Sequence, residues 1–205
     1  MPYRNAQTAY RRLIAVAQRQ GGYVTAKQAR VAGFDYSHLA YHSGVGNLTR
    51  VGHGLYHAPE VGHSMQDQLV RLGLWSRDRA DRIQAVVSHD TALELHELSD
   101  LLPRLVHLSV PRSFRKRTPR GCMLHRADVA PADTEAWEGF RVTKPLRTLL
   151  DLADEGRLAR EHLERAVEDA LARGLVRRSE IESACRMAEA PKSRARLTDA
   201  LAPHR

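Results

Sequence analysis

The chain has 205 residues, with 32 Lys+Arg against 24 Asp+Glu, a formal charge of +8 and a pI near 10.0. Hydrophobic residues make up 42% and charged residues 27%, which excludes a disordered chain. No apolar run approaches a membrane span and Met1-Pro2-Tyr3-Arg4-Asn5 leads into no signal core, so a cytoplasmic protein without a membrane anchor is expected; two distant cysteines, Cys122 and Cys185, with no CxxC exclude a disulfide scaffold and a zinc-finger framework.

The charge is unevenly placed. Residues 1–62 hold seven cations (Arg4, Arg11, Arg12, Arg19, Lys27, Arg30, Arg50) against two anions (Asp35, Glu60), a balance of +5. Residues 63–205 hold 25 cations against 22 anions, a balance of +3. A small basic module that meets a polyanion, followed by a larger and nearly neutral one, fits this asymmetry. Pro59-Glu60-Val61-Gly62 punctuates the pattern, so the expected domains are 1–62 and 63–205.

Ala6, Ala9, Tyr10, Leu13, Ile14 and Ala17 recur at helical spacing, and Gly21-Gly22 ends that helix. Tyr23-Val24 reads as a short extended piece. Thr25-Ala26-Lys27-Gln28 fits a capping box for a second helix, which runs to Ala32 and closes at Gly33. Phe34 is an apolar plug, and Asp35 an N-cap for a third helix from Tyr36 to about Val45. Leu48–Val51 and Leu55–Ala58, joined through Gly52-His53-Gly54, read as a hairpin. This order is that of a winged helix-turn-helix, whose third helix enters the major groove while the hairpin rides on the backbone. The third helix supports the assignment physically: Leu39 is its main inward residue, while Tyr36, Ser37, His38, Tyr41 and His42 are hydrogen-bonding types that leave a face to water or to DNA.

The stretch from Thr25 to Asp35, and Gly46-Asn47-Leu48-Thr49-Arg50-Val51-Gly52-His53-Gly54-Leu55-Tyr56 after it, resemble the N-terminal winged domain of AbiEi-type antitoxins. Those are transcriptional regulators of bacterial abortive-infection systems. Val86-Val87-Ser88-His89-Asp90-Thr91-Ala92-Leu93-Glu94-Leu95-His96 resembles a further block of that family. So do Leu105–Pro111 and Val142–Leu152. The resemblance implies a repressor of its own operon that counteracts a nucleotidyltransferase toxin. Two departures stand out: relatives often carry Arg in the third helix, where this chain has Tyr, Ser and His, and many carry Gly where Glu97 follows Leu95-His96.

Past residue 62, the spacing predicts a linking helix over Met65–Trp75 and a strand at Val86–Ser88. A helix over Thr91–Leu98 and strands at Leu105–Val110, Cys122–Arg126 and Phe140–Thr143 follow. Pro145 opens a helix to Ala153, and Leu163, Ala166, Val167, Ala170 and Leu171 mark another that stops at Gly174. Ser179 is read as the cap of a helix through Ile181 and Cys185, and a last helix carries Leu197 and Leu201 ahead of a basic tail. The fold class is therefore α+β: a winged helix-turn-helix, then a mixed domain with a helical C-terminus. A basic loop carries Arg112, Arg115, Lys116, Arg117 and Arg120, with Arg126 beyond it; it extends the DNA footprint, docks a toxin or a transcript, or lies in water.

No catalytic, cofactor or metal constellation is expected. Adjacent Ser88-His89-Asp90 cannot converge as nucleophile, base and orienter, and His89 is read as bonding backbone at a strand end. His38/His42 and His53/His57 lack an acidic third ligand, and Asp151, Asp154 and Glu155 only end a helix. There is no Gly-rich phosphate loop.

The expected function is double-stranded DNA binding at an inverted repeat, by two copies of a chain that need not dimerise in solution. Tyr36, Ser37, His38 and Tyr41 are the expected base readers, Arg50 and His53 the wing contacts, and Arg11, Arg12, Lys27 and Arg30 the phosphate contacts. The alternative is a protein-interaction antitoxin that neutralises its toxin by direct contact.

Overall fold

A computed structural model describes residues 2–62, 66–100, 102–187 and 191–201. Met65 and the basic tail, which figure in the expectations above, lie outside them. The fold is mixed α+β and divides into two compact units: residues 1–84 with 136–140, and residues 85–135 with 141–205. Among the described residues, no helix is long and apolar enough to cross a membrane.

The first unit runs α1 (Pro2–Gln18), β1 (Tyr23–Thr25), α2 (Ala26–Ala32), α3 (Tyr36–Gly44), β2 (Thr49–Gly52), β3 (Leu55–His57) and α4 (Asp67–Trp75). Its local rules are those in the sequence. Thr25 and Gln28 close both halves of the capping box, and Gly33 takes a left-handed φ of 107° and donates its N–H to the carbonyls of Ala29 and Arg30. The extended piece Tyr23–Thr25 joins the hairpin as its third strand, in the order β1-β3-β2. Leu13, Ile14, Ala17, Val24, Ala29, Phe34, Leu39 and Leu48 form the core beneath. Gly22 is needed where it sits: its φ is +84°, and a Cβ there would meet His57 Nε2 at 2.6 Å.

The division falls at Gln84 and not at Gly62. Helix α4 belongs to the first unit: Asp67 accepts the Tyr23 hydroxyl at 3.0 Å, and Gly73 lies where a Cβ would meet the Gly139 carbonyl at 3.1 Å. Close packing at these glycines explains why residues 136–140 fall in this unit too.

The second unit contains β4 (Val86–Val87), α5 (His89–Leu95), β5 (Val106–Val110), β6 (Cys122–Arg126), β7 (Thr134–Trp137) and β8 (Phe140–Thr143). Its helices are α6 (Pro145–Glu155), α7 (Arg160–Ala172), α8 (Arg178–Met187) and α9 (Pro191–Ala200). The last two residues of β7 and the first of β8 are counted with the first unit. The sheet order is β6-β5-β4-β8-β7, with β4 antiparallel to β5 but parallel to β8, and β5 parallel to β6. Leu93, Leu149, Leu152, Leu163, Val167, Ile181 and Leu197 fill the helical core.

Two expectations are corrected, and one strand appears that was not expected. Ser179 is not a cap, because α8 begins at Arg178 and Glu180 reaches back to accept the Arg177 N–H at 2.7 Å. Helix α5 starts at His89, two residues before Thr91, because His89 adopts a positive φ of 52° that turns the chain out of β4 at once. Strand β7 had no alternating pattern to announce it.

Candidate nucleic-acid interface

Helix α3 shows what its composition implied: of its nine residues, all described, Leu39 alone is buried. Tyr36 is 72% exposed and Tyr41 63%, with Ser37, His38 and Ala40 exposed beside them. Phe34, at 4% exposure, anchors the preceding turn. His42 points inward, stacking on Tyr10 at 5.1 Å and meeting the Phe34 ring at 5.1 Å, with its Nδ1 3.1 Å from Asn47 Nδ2. Burial, then the neighbouring His38, pulls the His42 pKa down. His42 therefore supports the helix from beneath and does not face outward with the others.

The N-terminus of α3 is organised by Asp35. Its Oδ1 accepts the Ser37 hydroxyl at 2.7 Å and the His38 N–H at 2.8 Å, and lies 3.2 Å from His38 Nδ1. The Ser37 hydrogen bond, then the His38 amide, hold the Asp35 carboxyl below its ordinary range. An ionised carboxylate here complements the helix dipole but opposes a phosphate at the same end. A nucleic-acid backbone is therefore better received elsewhere on the unit.

The wing supplies Arg50 and His53, both exposed, with Arg50 Nε donating to the Gly52 carbonyl at 3.4 Å. Of the four cations expected at phosphates, Arg12, Lys27 and Arg30 line one open groove of about 900 Å³ with Val16, Val31 and Arg79. Lys27 Nζ donates to the Arg79 carbonyl at 3.1 Å. Asp81 also lines this groove, but its carboxylate is held by Arg77 at 2.6 Å. Arg11 is exposed on α1 and does not line the groove. In the second unit Arg112, Arg115, Lys116, Arg117 and Arg120 are exposed around Phe114, which is 2% exposed and anchors the loop. Arg126 Nη1 donates to the Phe114 carbonyl at 2.5 Å.

The second unit also gathers residues that the sequence scattered. His89 and His125 stack with ring centroids 3.5 Å apart and planes 11° apart. His125 Nε2 lies 3.2 Å from His107 Nδ1, and His107 Nε2 lies 3.5 Å from Asp90 Oδ2. His89 does not bond backbone as expected; its Nδ1 lies 2.9 Å from Ser88 Oγ, which accepts the Ser109 hydroxyl at 2.9 Å. Burial first, then neighbouring His125, pulls His89 down to about 3, and burial, then His107, pulls His125 down to about 4. The register that pairs Ser109 with His125 and His107 with Met123 makes the cluster. Its only sequence signal was the shared strand parity of His107, Ser109 and His125.

A pocket of about 780 Å³ in the same unit is lined by Asp133, Lys144, Arg147, Asp151 and Met187, among others. Asp151 Oδ1 accepts Arg147 Nε at 2.8 Å, while its Oδ2 is buried without a partner. Burial, against the opposing Arg147 charge, raises Asp151 to about 6.

A model of the family described as transcriptional regulator, AbiEi antitoxin, matches residues 11–59. A model of the AbiEi antitoxin C-terminal domain matches residues 84–202. No curated protein matches the chain.

Proposed function

Because the chain belongs to the AbiEi antitoxin family, a family of transcriptional regulators, we propose that its winged helix-turn-helix binds an inverted repeat in the promoter of its own toxin–antitoxin operon. Repression follows when two copies occupy the half-sites, each reading one. The exposed outer face of α3, with Leu39 and His42 turned inward, carries this reading. Tyr36, Ser37, His38 and Tyr41 read base edges, Arg50 and His53 brace the wing, and Arg11, Arg12, Lys27 and Arg30 neutralise phosphates. The cognate toxin in this reading is a nucleotidyltransferase, counteracted by contact or at a shared target. The protein acts as a regulator without catalysis of its own.

A gel shift on its own upstream DNA, run across a salt series, tests the reading. Binding should be sequence-dependent and weaken steeply with salt. Tyr41→Ala should reduce specific binding about tenfold or more while sparing non-specific binding; Arg50→Ala should weaken both alike. No preference over random DNA at moderate salt overturns the repressor reading. In that case, co-purification with the toxin would mark a contact antitoxin instead.

A further inference from the structure

The histidine cluster of the second unit is not among the residues proposed to read DNA, and its geometry points to a use of its own. We propose that His89, His125 and Glu155 form a binding site for one divalent transition-metal ion of the zinc class. One ligand atom from each of the three lies within 4.8 Å of the others. They come from three separate elements: the first residue of α5, the fourth of β6 and the last of α6. Two imidazoles and a carboxylate make a three-ligand zinc set with the fourth position open.

The surroundings allow one set of tautomers that leaves a ligand nitrogen on each ring. A carboxylate accepts only, so Asp90 favours a proton on His107 Nε2 and leaves His107 Nδ1 as an acceptor. That acceptor takes the His125 Nε2–H at 3.2 Å, which leaves His125 Nδ1 with its lone pair. When His89 Nδ1–H donates to Ser88 Oγ, 2.9 Å away, the lone pair of His89 lies on Nε2. Each candidate ligand thus has its other ring nitrogen held by a neighbour, the arrangement that orients histidines toward a metal.

The backbone contributes too. A φ of 52° at a non-glycine residue is costly, and His89 keeps it while presenting its ring to β6. Closing on an ion requires two movements. Ligand atoms around tetrahedral zinc sit about 3.3 Å apart, so the stacked rings must swing until their lone pairs converge. Glu155 must also exchange its ion pair with Arg157 Nε, now 3.3 Å long, for the metal.

The test uses the full, untagged chain, stripped with chelator. Zinc is titrated by calorimetry and cobalt by visible absorption. One ion per chain, a tetrahedral cobalt spectrum and a melting temperature raised by about 5 °C or more at saturating zinc are expected. His125→Gln and Glu155→Gln should each weaken binding more than about tenfold, and the exposed His162→Ala should leave it unchanged. Glu155→Gln keeps the side chain's shape, so its apo circular dichroism should match wild type and its loss of binding is not a folding defect. Absence of stoichiometric zinc binding, a cobalt spectrum like that of the free aqua ion, or wild-type affinity in Glu155→Gln or His125→Gln would overturn the site.

Discussion

The exposed histidines of the first unit and the buried cluster of the second put one residue type to opposite uses. In the first, His38 and His53 stand in water on a helix and a wing, beside tyrosines that are themselves exposed. In the second, His89 and His107 are buried at 6% exposure each and meet His125 across sheet and helix. The first arrangement leaves polar groups free for a partner. The second already satisfies most of them internally, so what remains is a few directed lone pairs. A surface that binds a large polyanion needs spread and accessibility; a site for a small ion needs convergence and shelter. The same residue type serves either, and its burial decides which.

The largest expected effect separates support from contact on α3. Leu39 is 1% exposed in the first unit's core, so Leu39→Ala should lower stability by about 2–5 kcal/mol through lost burial and a residual cavity. Tyr41, 63% exposed, should change stability by less than about 0.5 kcal/mol when made Ala, yet impair specific DNA binding. Chemical denaturation of both variants beside gel shifts would sharpen the contrast. Equal destabilisation by the two would mean that the outer face of α3 packs against something.

The second unit's stability should carry a pH signature from Asp151. Its folded pKa, about 6, lies above the ordinary 3.8, so the folded state holds a proton that the unfolded chain gives up. Its contribution is fully present below about pH 4 and is lost as pH rises through 6. Between those limits wild type should lose stability relative to Asp151→Asn by about 1.4 kcal/mol per pH unit. The difference between the two proteins is the diagnostic quantity, since His89 and His125, shifted downward, titrate in the opposite sense over the same range. Denaturant melts of both chains in chelator from pH 4 to 7 make the measurement, and a constant difference would refute it.

These two regions also differ in how far sequence alone reveals them. Helix α3 was legible because its determinants are local: Asp35 caps it, Gly33 precedes it in a left-handed turn, and a single Leu39 sets its buried side. The winged domain and most strands of the second unit follow from the same short-range rules. The histidine cluster was not legible. Its members lie 18 residues apart on each side of His107, from His89 to His125, and only the parallel register of β5 with β6 brings them together. Glu155 reads as a helix-end carboxylate until α6 is placed. Periodicity gives the parity of a strand but not its neighbour, and the neighbour makes the site.

Smaller effects should appear in the groove of the first unit. Arg12, Lys27 and Arg30 share it, so each replaced by Ala should reduce the slope of log affinity against log salt by about 0.9 if it meets one phosphate. Arg11, outside the groove, offers the comparison. A slope unchanged by Lys27→Ala but reduced by Arg11→Ala would move the backbone path to the other side of α1.

The smallest expected effect concerns Glu97. Its φ is +55°, in the left-handed region, which a residue without Cβ adopts at less cost. The chain holds this conformation with Arg173, whose Nη1 donates to the His96 carbonyl at 2.8 Å and the Glu97 carbonyl at 3.0 Å. Arg173 Nη2 also lies 3.5 Å from the Glu97 carboxylate, but that carboxylate is 82% exposed and the pair is worth little. Both backbone bonds survive Glu97→Gly, which removes the left-handed cost while adding unfolded-chain entropy. A net gain of about 0.5 kcal/mol is expected, read as a rise of one or two degrees in the melting temperature. A clear loss instead would show that the exposed carboxylate, and not the two carbonyl bonds, holds Arg173 over the end of α5.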